Sequence, residues 1–329
     1  MTSLNKLYST GFASAFRTLA LGLMLSGALA ACSASNDTAQ QSSEQSVYDY
    51  NAALVASDER LLKLEGSSNF RDMGGYKTED GKTVRRDMLF RSGAMTSLSE
   101  EDIAYLNAMN FSAVVDLRSS DELDLYPNSW VKSNASIDYL NHEYDMMTMM
   151  GKAYGERKSD GEIDRSQTNF ADMMPKLYRH LPQQLAPQLR LYFAELLETD
   201  SPVVVNCSAG QDRTGIASAV VLSALGVPRQ TIIEDYLLST QYRRPANEKG
   251  DVDLQEAAKT NDFAKMMLKY SKGEKSHQPN PLYTSDGTPF LVFALDEIEM
   301  RYGSIESYLD QVIGVDAEEL SQLREKYLL

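Results

Sequence analysis

One segment constrains the fold more than any other. An apolar run, Pro202-Val203-Val204-Val205, leads through Asn206 into Cys207-Ser208-Ala209-Gly210-Gln211-Asp212-Arg213-Thr214-Gly215 and then into a helical pattern. A continuous β-branched run reads as a strand covered on both faces, as in the middle of a parallel sheet. A buried strand followed by a short glycine-containing loop and a helix implies helices layered on a sheet, so the chain is expected to be α/β. The pattern from Leu61 onward agrees. Strands are expected at 88–91, 112–117, 136–140 and 202–206, where short runs are rich in β-formers. Helices are expected at 100–109, 170–180, 185–198, 214–225 and 229–238, followed by a C-terminal helical extension around 254–270, 290–302 and 317–327. Ser99 with Asp102 three residues later suits a helix start, and Gly226-Val227-Pro228 a helix stop. The stretch 272–288 holds Pro, Gly, Ser and Asn and reads as a long loop that could act as a lid.

The loop after the strand carries chemistry. A strand–loop–helix turn of this kind directs successive backbone N–H groups of Ser208, Ala209, Gly210, Gln211, Asp212 and Arg213 at one point, beside a helix N-terminus. That concavity suits a dianionic phosphate. The same field stabilises a thiolate, which makes Cys207 the expected nucleophile. Arg213 can grip two phosphate oxygens with its planar fork, which a lysine cannot do. Asp212 is a candidate proton donor to the leaving oxygen, and the Thr214 hydroxyl can ease departure of the thiol from a phosphocysteine. A buried structural cysteine is the plain alternative for any single Cys. It leaves Asp-Arg-Thr-Gly unexplained.

These residues resemble a known family. The loop is similar to the Cys-x-x-Gly-x-Asp-Arg-Thr-Gly signature of the bacterial and fungal tyrosine phosphatases, which include a secreted mycobacterial phosphatase and a Listeria lipid phosphatase. Asn69-Phe70-Arg71-Asp72-Met73-Gly74-Gly75-Tyr76, Leu89-Phe90-Arg91-Ser92-Gly93 and Val115-Asp116-Leu117-Arg118 resemble its earlier segments. Glu234-Asp235-Tyr236-Leu237-Leu238-Ser239 and Tyr302-Gly303-Ser304 resemble its later ones. The resemblance implies a protein tyrosine phosphatase-like fold, a central and mainly parallel sheet flanked by helices. It also implies Cys207 as nucleophile, Asp212 as general acid and Arg213 as phosphate ligand. Arg71, Asp72, Asp116 and Arg118 read as a buried network bracing the loop rather than as substrate contacts. Two positions depart from the family. Asn206 stands where His is usual and is expected to hydrogen-bond within the loop, and Gln211 stands where Lys is common. Both changes favour an aryl phosphate such as phosphotyrosine over phosphoinositides or inositol polyphosphates. They also motivate the non-enzymatic reading, a phospho-binding module with weakened catalysis.

The N-terminus has a different character. Lys6 and Arg17 precede an uncharged apolar run over 19–31, shorter than the roughly 20 residues of a membrane span. It reads as the h-region of a signal peptide. Leu29-Ala30-Ala31-Cys32 resembles the lipobox of bacterial lipoproteins, which implies removal of residues 1–31 and lipidation of Cys32. An exported, membrane-anchored lipoprotein of the cell envelope is therefore expected, facing the periplasm or the cell surface. Residues 32–60, rich in Ser, Gln and Asn, form its flexible tether, and 61–329 form its catalytic domain. With 2 cysteines in the chain, lipidation of Cys32 leaves Cys207 a free thiol outside the cytosol, a liability that catalysis would justify.

Charge and histidine content narrow the partners. With 47 Asp+Glu against 32 Lys+Arg, the chain lacks the basic footprint of a nucleic-acid binder. Its 3 histidines, His142, His180 and His277, show no metal-ligand spacing. No metal and no cofactor are expected. A Cys–His dyad through space with His142 or His180 would leave Asp-Arg-Thr-Gly without a role. The expected partners are a phosphorylated protein or small phosphomonoester, and a membrane reached through the anchor.

Overall fold

The computed structural model describes residues 59–154, 170–270 and 282–329. Five strands form one sheet in the order β1-β2-β5-β3-β4: β1 Arg71–Asp72, β2 Leu89–Ser92, β3 Ala113–Asp116, β4 Asp138–Asn141 and β5 Val203–Asn206. The short β1 runs antiparallel to β2, and every other pairing is parallel. The apolar run at 203–205 is thus the middle of the sheet, buried on both faces, as its composition predicts. Register sets Val203 between Leu89 and Ala113, and Asn206 between Ser92 and Asp116, with Asn141 beside Asp116. The parallel strands therefore all end in polar residues in a single row. Ligands of open α/β sheets bind beyond that edge.

Helices cover both faces. They are α1 Glu100–Ala108, α2 Ser120–Leu125, α3 Ser129–Ser133, α4 Met146–Tyr154, α5 Phe170–Gln184, α6 Ala186–Glu198, α7 Asp212–Ala224, α8 Arg229–Tyr242, α9 Leu254–Ala257, α10 Asp262–Tyr270, α11 Phe290–Tyr302, α12 Ile305–Tyr308 and α13 Ala317–Tyr327, with one π turn at Leu309–Ile313. One core layer joins Phe90 and Val204 of the sheet to Phe70, Leu106, Phe111 and Trp130. Its rings stack edge-on, with Phe111 5.0 Å from Phe90 and 5.3 Å from Trp130. The chain end is tied in. Leu329 and Thr83 exchange two backbone bonds of 2.9 and 3.0 Å, and Arg85 donates to the Tyr327 carbonyl at 2.8 Å.

Several elements differ from expectation. Ser99 and Asp102 do form a reciprocal capping box, and α1 ends one residue early. α5 runs four residues beyond His180 and passes through Pro182. The Pro182 carbonyl accepts the Tyr308 hydroxyl at 2.7 Å, so packing against the C-terminal helices overrides the proline signal. The pattern over 254–270 divides into α9 and α10. Asn261 caps α10 by accepting the Ala264 N–H, and its amide donates to the Asp121 carbonyl, both at 2.8 Å. Most of the 272–288 loop lies outside the described residues. Its end is a turn in which Thr284 N–H donates to the Thr288 carbonyl at 2.9 Å.

Candidate active site

Cys207 is the first residue beyond the β5 end and is 2% exposed. The chain must turn at once into α7, and Gly210 makes the turn with φ +66°. A Cβ there would lie 2.7 Å from the Gly93 nitrogen and the Ser92 carbonyl group, so glycine is required on two grounds. The loop carbonyls are used outwards. Ala94 N–H donates to Ser208 at 2.9 Å, while Asn69 Nδ2 and Arg91 Nη2 donate to Gly210 at 2.8 and 2.9 Å. Its amides are not used in this way. Among the described residues, no backbone N–H from Ser208 through Ala209, Gly210, Gln211 and Asp212 to Arg213 has an acceptor. These donors lie between the thiol and the start of α7, and a loop of free N–H groups leading into a helix N-terminus is the kind of arrangement that binds a phosphoryl group.

Arg213 reaches the loop edge and is locked there by a residue that the sequence did not reveal as functional. Nη1 and Nη2 donate to the two carboxylate oxygens of Glu122, each at 2.7 Å. Nη1 also donates to the Tyr144 hydroxyl at 2.6 Å and the Leu117 carbonyl at 3.2 Å. Glu122 in turn accepts the Ser208 hydroxyl at 2.5 Å and the Ser119 N–H at 2.9 Å. Burial alone would raise its carboxyl, but Arg213 outweighs this and holds it at about 2. A permanent carboxylate thus fixes one edge of the guanidinium. Nε, which has no partner among the described residues, and the second N–H of Nη2 remain for phosphate oxygens. The one sequence signal for Glu122 is the capping box Ser119-x-x-Glu122, whose side chain serves both the helix start and the arginine.

The neighbours of the loop are similarly held. Asp212 opens α7, and its Oδ1 accepts the Tyr178 hydroxyl at 2.5 Å. Thr214 is fully buried, with a long bond of 3.4 Å to the Ser92 carbonyl. Gln211 lacks a charge, yet a cation is brought to it: Arg243 Nη1 donates to Gln211 Oε1 at 2.8 Å. Arg243 is itself held on Glu248 by bonds of 2.9 to 3.1 Å, and Glu248 accepts the Ser68 hydroxyl at 2.8 Å.

Of the four residues read as a bracing network, Arg71 is linked to the loop through Asn69, Asp116 and Arg118 pair with each other, and Asp72 lies elsewhere. Arg71 and Arg91 share the Asp235 carboxylate, at 3.1 and 2.5 Å. Arg71 also bonds Asn69, whose amide holds Gly210. Asp116 and Arg118 form a fully buried pair at 2.6 Å, and Arg118 Nη1 donates to the Tyr126 carbonyl at 2.5 Å. Asp72 serves a different turn. It accepts the Gly74 and Asp87 N–H groups at 2.7 and 3.3 Å, away from the cysteine loop, and burial raises its carboxyl to about 6. Asn206 also departs from expectation, because its buried side-chain amide has no partner among the described residues. Its contribution is through the backbone, where its carbonyl accepts the Leu117 N–H at 2.8 Å. His142 and His180 line a cavity of about 620 Å³ with Tyr144, which borders the site through Arg213. Cys32 and His277 lie outside the described residues.

Comparisons with known proteins agree with this geometry. The chain is 27% identical to the triple specificity protein phosphatase PtpB of Mycobacterium tuberculosis over 285 residues, 80% of this chain and 98% of that protein. It is 24% identical to a tyrosine-protein phosphatase of Nostoc commune over 246 residues, 73% of this chain and 74% of that one. The model of the tyrosine phosphatase family matches residues 62–329. With the family's model matched over this span, which includes all five strands and the cysteine loop, the chain belongs to the tyrosine phosphatase family and is a phosphoric monoester hydrolase of that kind.

Proposed function

We propose that this phosphatase hydrolyses phosphotyrosine in proteins through a phosphocysteine on Cys207. The observation that supports it is the run of backbone N–H groups from Ser208 to Arg213 without acceptors among the described residues, directly after a buried cysteine. In the first step the Cys207 thiolate attacks phosphorus and the P–O bond to the tyrosyl oxygen breaks. The electron pair goes to that oxygen, which takes a proton from Asp212 and leaves as the phenol. In the second step water attacks the phosphocysteine and gives its proton to Asp212. The P–S bond breaks, inorganic phosphate leaves and the thiolate is restored. Arg213 and the loop amides stabilise the equatorial oxygens throughout.

Rapid-quench labelling with a 32P-labelled aryl phosphate tests this mechanism. An acid-stable adduct on the peptide containing Cys207 is expected within one turnover, and turnover without any adduct would overturn it. A second reading, phosphoinositide or inositol phosphate hydrolysis, is favoured by Arg243 beside Gln211, which supplies the cation that position 211 lacks. A panel comparing phosphotyrosine peptides with phosphatidylinositol phosphates decides between them. A kcat/KM for a phosphoinositide exceeding that for every peptide would transfer the proposal to the lipid substrate.

The proposal includes the location. Residues 1–31 act as a signal peptide and Cys32 carries the lipid that anchors the domain to the cell envelope, as the Leu29-Ala30-Ala31-Cys32 motif suggests. Metabolic labelling with a fatty-acid probe should mark the full chain and not its Cys32→Ser variant, and detergent should be needed to release only the former from membranes. A soluble, unlabelled wild type would exclude the anchor.

A further inference from the structure

The Asp212 carboxylate is not left to solvent on both sides. Oδ1 accepts the Tyr178 hydroxyl at 2.5 Å, and that hydroxyl lies 2.6 Å from the Tyr236 hydroxyl. Tyr178 has one proton to give. When it gives that proton to Asp212, Tyr236 must act as donor to Tyr178, so the chain runs Tyr236 to Tyr178 to Asp212. Both phenols are buried at no more than 1% exposure. Burial first, then the nearby Asp212, drives both well above their ordinary titration range, so they stay protonated donors at working pH.

The rings are fixed as firmly as the hydroxyls. Tyr178 sits on α5, with Phe290 of α11 at 5.6 Å on one side and Tyr236 of α8 edge-on at 6.1 Å. Tyr236 approaches α7 at the one position that permits it. A Cβ on Gly215 would lie 2.8 Å from the Tyr236 ring. The final glycine of Asp-Arg-Thr-Gly therefore gives room to Tyr236, whose hydroxyl meets that of Tyr178, the donor to the aspartate three residues before the glycine.

We infer that Tyr178 is a positioning residue for the phosphatase reaction: by occupying Oδ1 of Asp212 as a donor, it confines the acidic proton to Oδ2, the oxygen left to face the leaving group. A carboxylic acid with both oxygens free can hold its proton on either, and rotation about its terminal torsion is broad. Donation to Oδ1 removes the unproductive arrangement. In the second half-reaction the same bond leaves Oδ2 as the base that receives the proton from water. Tyr236 acts one step further back, by fixing the direction of the Tyr178 hydroxyl. This inference rests on Asp212 being the general acid.

Leaving-group dependence separates such a role from a structural one. A general acid matters little when the departing phenol is already acidic and much when it is not. We would measure kcat/KM, which reports steps through the first P–O cleavage, for p-nitrophenyl phosphate, phenyl phosphate and an alkyl phosphate. Wild type, Asp212→Asn, Tyr178→Phe and Tyr236→Phe would be compared. For Tyr178→Phe the expected loss is within about twofold on p-nitrophenyl phosphate and about tenfold or more on the alkyl ester. Inhibition by inorganic phosphate should be unchanged, since the cradle and Arg213 are untouched. Tyr236→Phe should show the same trend with smaller losses, and it carries the test if Tyr178→Phe does not fold. A Tyr178→Phe loss equal across the three esters, with Asp212→Asn still leaving-group dependent, would overturn the positioning role alone. A flat profile for Asp212→Asn would remove the acid assignment and the inference with it.

Discussion

Cys207→Ser is expected to lower kcat on an aryl phosphate by at least about 10⁴-fold while leaving the fold and phosphate binding intact. The argument has two halves. The cradle is made of backbone and one arginine side chain: the N–H groups from Ser208 to Arg213, the left-handed Gly210 and the Arg213 fork on Glu122. None of these depends on sulfur, so a serine at this site still sits beneath a phosphate site. What changes is the nucleophile. Sulfur is an intrinsically far stronger nucleophile than a serine hydroxyl, which needs an adjacent base to be activated, and among the described residues no side chain hydrogen-bonds to Cys207 to serve as one. The serine variant should therefore bind substrate and fail to cleave it. Thermal unfolding and inhibition by inorganic phosphate check the first half, and steady-state hydrolysis checks the second. Retention of more than about 1% activity would show that another group attacks phosphorus, and the phosphocysteine mechanism would be withdrawn.

The legibility of the site in the sequence follows from which parts of it are local. The nucleophile, the loop, Asp212, Arg213 and the helix that begins there lie within a few residues of one another, so spacing alone joins them. The same holds for the Ser99–Asp102 box and for Val203 to Val205 as a central strand. Glu122, Tyr144 and Tyr178 come from distant parts of the chain, and apart from the Ser119–Glu122 capping box nothing in their own surroundings marks them. Glu122 stands among Ser119, Ser120, Asp121 and Asp124, which read as an ordinary acidic surface turn. It is buried because Tyr126 and Leu125 of its turn pack on Phe263 and Ala264 of α10, a contact between residues more than a hundred positions apart. The bracing role of Arg71 could be expected from its segment, but its carboxylate partner Asp235 could not. Asp72, next to Arg71 on a strand, necessarily points the other way and serves another turn. Asn206 is expected to bond within the loop, and among the described residues its buried side-chain amide has no partner there.

Asp235→Ala is expected to cost about 3–5 kcal/mol of stability, the largest single loss outside the hydrophobic core, against a total of about 5–15 kcal/mol for an ordinary domain. Asp235 is 1% exposed and is the carboxylate that Arg71 and Arg91 share, while Tyr76 donates to it at 2.9 Å. Truncation would leave two buried guanidinium groups facing each other with their common counter-charge gone. Arg71 would keep the Asp235 backbone carbonyl at 2.8 Å, and both arginines would keep the Ser239 hydroxyl, which is too little to satisfy two cations. Because Arg91 also holds the Gly210 carbonyl, activity should fall with stability even below the melting temperature. The same carboxylate sets the acid limit. Burial would raise it, but Arg71 and Arg91 hold it well below the usual range, and Glu122 is held at about 2 by Arg213. Carboxyls depressed in the folded state supply stability above their ordinary values of 3.8 and 4.5 and lose it as pH falls toward the folded ones. Asp72, raised to about 6, has the opposite sign and costs stability as pH rises from about 4 to 6. Wild type should therefore weaken steeply below about pH 4.5, and Asp235→Ala should weaken less steeply there because one of the buried carboxyls held low by arginine is gone. Urea midpoints from pH 7 to pH 3 measure both effects. A variant as stable as wild type at pH 7, or one whose acid slope is unchanged, would show that Asp235 does not carry the charge balance of the arginine pair.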